Sequence, residues 1–300
     1  MTVDNDIARE RYLSIQRLAR DLGRPTDELL TLYVMEGFIA RAAESVYSEQ
    51  LVLKGGMLIS AFAERRPTRD IDLQALRIPN DTESLNEVAV QIALMGHEDG
   101  IDFKTKSTTA TVIREQDDYS GIRVAMDASV HSANLRLKID FSIGDPISPE
   151  PTTTQIESVM PGARPITILS FPITMVLAEK IATAASRGTA NTRWRDFADI
   201  LAIVQSNDID GSTMHESLRV VTEHRKIELR PLAELLAGFA DQAQRQWTLW
   251  LGRHSLDDQL PARFDDVLDR VAEFADLVMT EQAIDQDWFP ALGWKPQEVD

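Results

Sequence analysis

Between residue 101 and about 143 the sequence pattern changes to alternation, and a period of two demands a sheet. Val112 and Ile113, then Ile122, Val124 and Met126, then Leu135, Leu137, Ile139 and Phe141 mark three consecutive runs, read as a three-strand meander. The rest of the chain is organised around that block. Ahead of it, Ile7, Tyr12, Leu13, Ile15 and Leu18 recur at helical spacing, and a second helix follows from a cap at Thr26 through Leu29, Tyr33, Phe38 and Ile39. Strand-like runs at 51–54 and 70–76 enclose a short helical stretch at 55–63, and 81–95 reads as an amphipathic helix. Behind the meander, Pro146, Pro149, Pro151, Pro161 and Pro165 suggest an inter-domain crossover. From 171 the spacing predicts helices at 171–187, 193–205, 212–226, 231–248 and 262–283, and then a turn-rich tail, QDWFPALGWKPQEVD. The expected architecture is an α/β half followed by an α-helical half.

The chemistry is concentrated in residues 51–72. A strand ends in Lys54-Gly55-Gly56, where the missing side chains let backbone N–H groups approach a phosphate. The segment closes on Asp70-Ile71-Asp72, and in a strand residues two apart share a face. Two carboxylates side by side repel unless a cation joins them, commonly a divalent ion bound with substrate phosphates. Asp140, in LRLKIDFSIGD, faces opposite to the apolar set of its strand and supplies a third carboxylate, beside Arg136 and Lys138. Three such groups on neighbouring strands suit metal-assisted phosphoryl or nucleotidyl transfer. Lys180 sits among Leu177, Ile181 and Ala184 of an apolar helix, and Asp196 and Asp199 open the next one. An ordinary structural role, a snorkelling lysine and acids at a helix N-terminus, fits these three as well as a triphosphate clamp does.

Other chemistries are excluded or lack support. The chain has no cysteine, so thiolate ligands and cysteine nucleophiles are absent, and its five histidines show no metal-ligand spacing. Neither a GxxxxGK[ST] nor a GxGxxG run is present. A formal charge of −17 argues against broad duplex binding, although Arg164, Lys180, Arg187, Arg193 and Arg195 could form a local basic surface. The N-terminus is polar, and no stretch approaches the roughly 20 apolar residues of a membrane span, so a cytoplasmic protein that engages no membrane is expected.

The runs YVMEGFIARAAESVYSEQLVLKGGMLISAF, RPTRDIDLQ, LRLKIDFSIGDPI, LAEKIATAASRG and RWRDFADI together resemble the AbiEii/AbiGii toxin family of nucleotidyltransferases, including its mycobacterial MenT branch. The resemblance runs from about residue 26 to 205 and implies an α+β fold. In that fold a DNA-polymerase-β-like nucleotidyltransferase core, a mixed sheet with flanking helices, occupies 1–165. An α-helical domain at 166–300 would contribute Lys180 and Asp196 or Asp199 to the cleft. By the same resemblance Asp70, Asp72 and Asp140 bind Mg²⁺ or Mn²⁺, and Lys54, Gly55, Gly56, Arg69 and Lys180 bind the NTP. Asp196 or Asp199 supplies the family's later aspartate. The implied activity is that of a toxin from a type IV toxin–antitoxin, or abortive-infection, system: transfer of NMP to RNA, with the tRNA 3′ end as acceptor, blocking translation. A separately encoded antitoxin would be the partner. One departure stands out, because many relatives have Gly-Ser in the glycine motif where this chain has Gly55, Gly56 and Met57. The alternatives are NMP transfer to a protein or small molecule, a nucleotide-binding regulator without catalysis, and a neutral interaction domain whose motif matches are chance.

Overall fold

A computed structural model describes residues 5–63, 67–114, 120–254, 256 and 259–297. The chain divides into two compact units. One comprises Met1–Ala61, Arg65–Gly144 and Thr152–Ser170, and the other Phe62–Glu64, Asp145–Pro151 and Phe171–Asp300.

The first unit is built on a seven-stranded mixed sheet. Its strands are β1 (Leu51–Lys54), β2 (Ile71–Ala75), β3 (Ile101–Arg114), β4 (Ser120–Val130), β5 (Ala133–Ile143), β6 (Thr152–Ile156) and β7 (Ile166–Ser170), in the order β3-β4-β5-β2-β1-β7-β6. The meander β3-β4-β5 is antiparallel throughout, while β5 joins β2 in parallel and β7 joins β1 in parallel. Alternation makes this half-sheet one-sided. Ile122, Val124, Met126, Leu137, Ile139 and Phe141 are all buried. They lie on the side covered by helices α2 (Thr26–Glu44) and α4 (Thr82–Ala93), which pack on the meander strands. Arg123, Arg136, Lys138 and Asp140 occupy the other side, as the period of two requires. Helix α1 (Asn5–Asp21) packs on α2, and the one-and-a-half-turn α3 (Gly55–Ile59) follows β1 directly.

Buried charged side chains help tie α2 within this unit. Glu36, 3% exposed, accepts hydrogen bonds from Ser158 Oγ and Val159 N, clamping the loop after β6. Arg41, 2% exposed, forks onto Asp99 at 2.6 and 3.1 Å and also donates to Met95 O.

The second unit is helical, with α5 (Ile173–Arg187), α6 (Trp194–Val204), α7 (Gly211–Arg225), α8 (Leu232–Leu235), α9 (Phe239–His254) and α10 (Phe264–Met279). Phe197, Phe239, Phe264 and Trp247 stack edge-on or tilted at centroid distances of 5.2–5.8 Å and form its core.

The structure departs from the sequence expectation in three places. The proline-rich stretch contains β6, and the run after it forms β7, because the five prolines flank these strands without entering them. The single helix expected at 231–248 is two, α8 and α9, separated at Gly238 with φ +76°. The tail is a hairpin of β9 (Gln286–Phe289) and β10 (Gly293–Pro296) that pairs with the two-residue β8 (Ile209–Asp210). It is anchored by Trp288 Nε1 donating to Val204 O at 2.7 Å and by Trp294 stacked on Phe274. Residues 298–300 of that tail lie outside the described residues.

Candidate active site

Register across the sheet builds the carboxylate site. Lys54 of β1 lies opposite Asp72 of β2, Asp72 lies beside Asp140 of β5, and Asp140 lies opposite Arg123 of β4. Four adjacent strands thus carry a straight row of side chains on one face, cation–anion–anion–cation, at the strand spacing of about 4.8 Å. Asp70, one residue ahead of β2, is 41% exposed and adds its carboxylate next to the row, 4.0 Å from Arg123 Nη2. Arg123 holds Asp140 with both arms of its fork, Nε to Oδ1 at 2.6 Å and Nη2 to Oδ2 at 2.5 Å. The hydrogen bond to Asp140, reinforced by the charges of Asp140, Asp70 and Asp72, pushes the Arg123 pKa above the usual arginine range, although partial burial opposes it.

The glycine pair has a local reason of its own. Gly55 starts α3 at φ +65°, and a Cβ there would run into the Asp72 carboxylate. Only glycine both adopts that backbone and leaves Asp72 its seat. Met57, the residue after the glycine pair, is 1% exposed and committed to the core. Arg69 is exposed, in a segment without regular structure. Among the described residues, no three His, Asp or Glu side chains are gathered closely enough to hold a metal ion as they stand. The donor chemistry nonetheless suits a hard divalent cation, with carboxylate oxygens on one face and a cradle a Cβ would fill.

In the second unit, Lys180 of α5 reaches Asp196 at 3.0 Å and Asp199 at 2.6 Å, both on α6. Asp199 is 2% exposed and Lys180 11%, so this is a largely buried ion triad and not a snorkelling lysine. A cavity of about 350 Å³ in the first unit, lined by Arg11, Tyr33, Glu36, Asp99 and Arg164 among others, includes none of these site residues.

A family model described as the nucleotidyl transferase AbiEii toxin of the type IV toxin–antitoxin system matches residues 37–270. The chain belongs to that family. As an AbiEii-family protein it is a nucleotidyltransferase, and the resemblance read from its motifs holds. The fold agrees. The chain is similar to MenT4, a nucleotidyltransferase toxin from Mycobacterium tuberculosis, with a TM-score of 0.54, 18% identity and 89% of each chain covered. It also matches JHP933 from Helicobacter pylori, with a TM-score of 0.46, 16% identity, and 82% of this chain and 89% of that one covered. No curated protein matches by sequence. Among the described residues of this AbiEii-family chain, no helix is long and apolar enough to cross a membrane.

Sequence reading missed one member of the row, Arg123. The alternation of Ile122, Val124 and Met126 places residue 123 on the polar face, but which residue of β5 it meets depends on a hairpin register that composition does not encode.

Proposed function

We propose that this AbiEii-family nucleotidyltransferase transfers NMP from an NTP to an RNA hydroxyl, with the tRNA 3′ end as acceptor, and that this blocks translation. The observation that supports it most is the in-register pair Asp72 and Asp140 with Asp70 on the same face. In this reading the acceptor hydroxyl attacks the α-phosphorus in line. A new ester bond forms, the bond to the β-phosphate oxygen breaks, and pyrophosphate leaves. Asp140 orients the hydroxyl and takes its proton. Lys54, at the end of the row, and the backbone N–H groups of Gly55 and Gly56 approach the phosphates, with Arg69 nearby in sequence. Asp70 and Asp72, with Asp140, would hold Mg²⁺ or Mn²⁺, which when bound offsets charge on the phosphates and leaving group. Lys180, Asp196 and Asp199 enter this reading through the family motifs alone. A separately encoded antitoxin is the expected partner, and the cytoplasm the expected compartment.

The test is incubation with each of four α-labelled NTPs together with total RNA and cell protein, resolved on a gel. Label in the tRNA band supports the reading. Label confined to protein or to a small molecule replaces the acceptor, and no label on any species with any NTP overturns catalysis.

A further inference from the structure

Arg123 does more than fill a sheet face. Its guanidinium takes one lone pair from each oxygen of Asp140 and stands 4.0 Å from Asp70. Asp140 is 17% exposed and Arg123 34%, so water screens this pair only in part. Carboxylates this close to one another need positive charge among them. Lys54 stands opposite Asp72, and for Asp140 the proposed reaction has two claimants. One is the guanidinium, fixed to β4; the other is a divalent cation from solution. A cation held by Asp70, Asp72 and Asp140 would need an Asp140 oxygen directed away from β4. The fork instead turns the Asp140 carboxylate to β4, and in that arrangement the acids do not converge on one point.

We propose that Arg123 is a positioning residue that competes with the divalent cation for Asp140, so that the carboxylate site takes its cation together with the nucleotide and not ahead of it. The nucleotide changes the contest in two ways. Its phosphate oxygens add ligands for the cation, and they offer the planar guanidinium an alternative bidentate partner. Released from the fork, Asp140 turns toward Asp72, its in-register neighbour. Lysine cannot reproduce this, because an ammonium has charge but no fork. The inference rests on the assignment of Asp70, Asp72 and Asp140 as the cation site.

Mn²⁺ binding, followed by the electron paramagnetic resonance signal of the free ion, tests it without any turnover. Wild type, Arg123→Gln, Arg123→Lys and Asp70→Ala are titrated with MnCl₂, alone and with the α,β-methylene analogue of each of the four NTPs, and the Mn²⁺ chelated by each analogue without protein is measured and subtracted. Wild type is expected to bind Mn²⁺ at least tenfold more tightly with its nucleotide analogue than without. Arg123→Gln is expected to bind Mn²⁺ alone at least tenfold more tightly than wild type, and Arg123→Lys by a smaller margin in the same direction. A merely structural arginine predicts the opposite sign, since a disordered Asp140 is a poorer ligand. Mn²⁺ affinity of Arg123→Gln equal to or weaker than wild type therefore overturns the proposal. If Arg123→Gln fails to fold, Arg123→Lys decides by the same comparison. Failure of the underlying site assignment looks different: wild type then binds no Mn²⁺ with any analogue, or Asp70→Ala binds it as well as wild type.

Discussion

Replacing Gly55 with alanine should cost activity while leaving the chain folded. The backbone there has φ +65°, and an L-residue in that region costs about 1–2 kcal/mol. The added methyl would also overlap the Oδ2, Cγ and Cβ atoms of Asp72. The Asp72 carboxylate must leave its rotamer, at a further cost of about 1 kcal/mol, and because its Cβ does not move with the rotamer the backbone must also give locally. The total is at least about 2–3 kcal/mol, within what a chain of this size tolerates. The catalytic consequence is of similar size in free energy but falls directly on the rate, because a reacting or ligating group displaced by about 1 Å costs on the order of 100-fold. Gly144→Ala is the matched control. Its φ is +89° and nothing lies within 4 Å of the added Cβ, so it carries the backbone strain alone. Urea unfolding of both variants and of wild type gives the stability terms, and α-labelled NTP incorporation at 20 °C gives the rates. Gly55→Ala is expected to fall about 100-fold below Gly144→Ala in incorporation. Rates for the two variants within threefold of each other would refute the idea that Gly55 is glycine to seat Asp72.

Other consequences follow from the same geometry. Lys180→Ala takes the ammonium from a pair in which Asp199 is 2% exposed, and it should cost about 3 kcal/mol in urea unfolding, so activity assays of that variant need a parallel fold check; a loss under about 1 kcal/mol would argue that other partners carry Asp199. Asp81 caps α4 by accepting from Ser84 N at 2.7 Å and Ser84 Oγ at 2.9 Å, and these bonds hold its carboxyl below the usual aspartate range. A depressed folded-state pKa gives stability that is present above the unfolded value and lost as pH falls through the folded one. Asp81→Ala should therefore melt below wild type at pH 7, with the gap closing as pH drops below the usual aspartate range; a gap that persists unchanged to the acid limit would count against the cap.

Local pattern reveals some parts of this protein and hides others, for physical reasons. Asp140 can be read from sequence because Leu135, Leu137, Ile139 and Phe141 fix the face of every residue between them, and the burial of Leu137, Ile139 and Phe141 follows that pattern. Asp70 and Asp72 are legible for the same reason, with a glycine pair ahead of them. Arg123 is not, since a polar-face residue in a strand says nothing of its cross-strand partner until the register is known. The role of Gly55 as a seat for Asp72 is hidden likewise, because β1 and β2 meet only in the sheet, where Lys54 opposes Asp72. Strands β8, β9 and β10, two to four residues long, offer too little alternation to register as a period, and the tryptophans that fix the hairpin bond to groups far away in sequence. The Lys180 triad lay between two readings because a lysine in an apolar helix can snorkel or pair; only its contacts to Asp196 and Asp199 decide for pairing.

If Asp70, Asp72 and Asp140 form a centre that moves an NMP group from an NTP, the α-phosphorus must end on the acceptor and the reaction must depend on the carboxylates. The most direct measurement compares purified wild type and Asp70→Ala, both verified as folded, with α-labelled and γ-labelled NTPs and purified tRNA. Label is expected on the tRNA from the α-labelled nucleotide only, with pyrophosphate released, and none with Asp70→Ala. Label transferred from the γ-position, or full α-label transfer by Asp70→Ala, would contradict it.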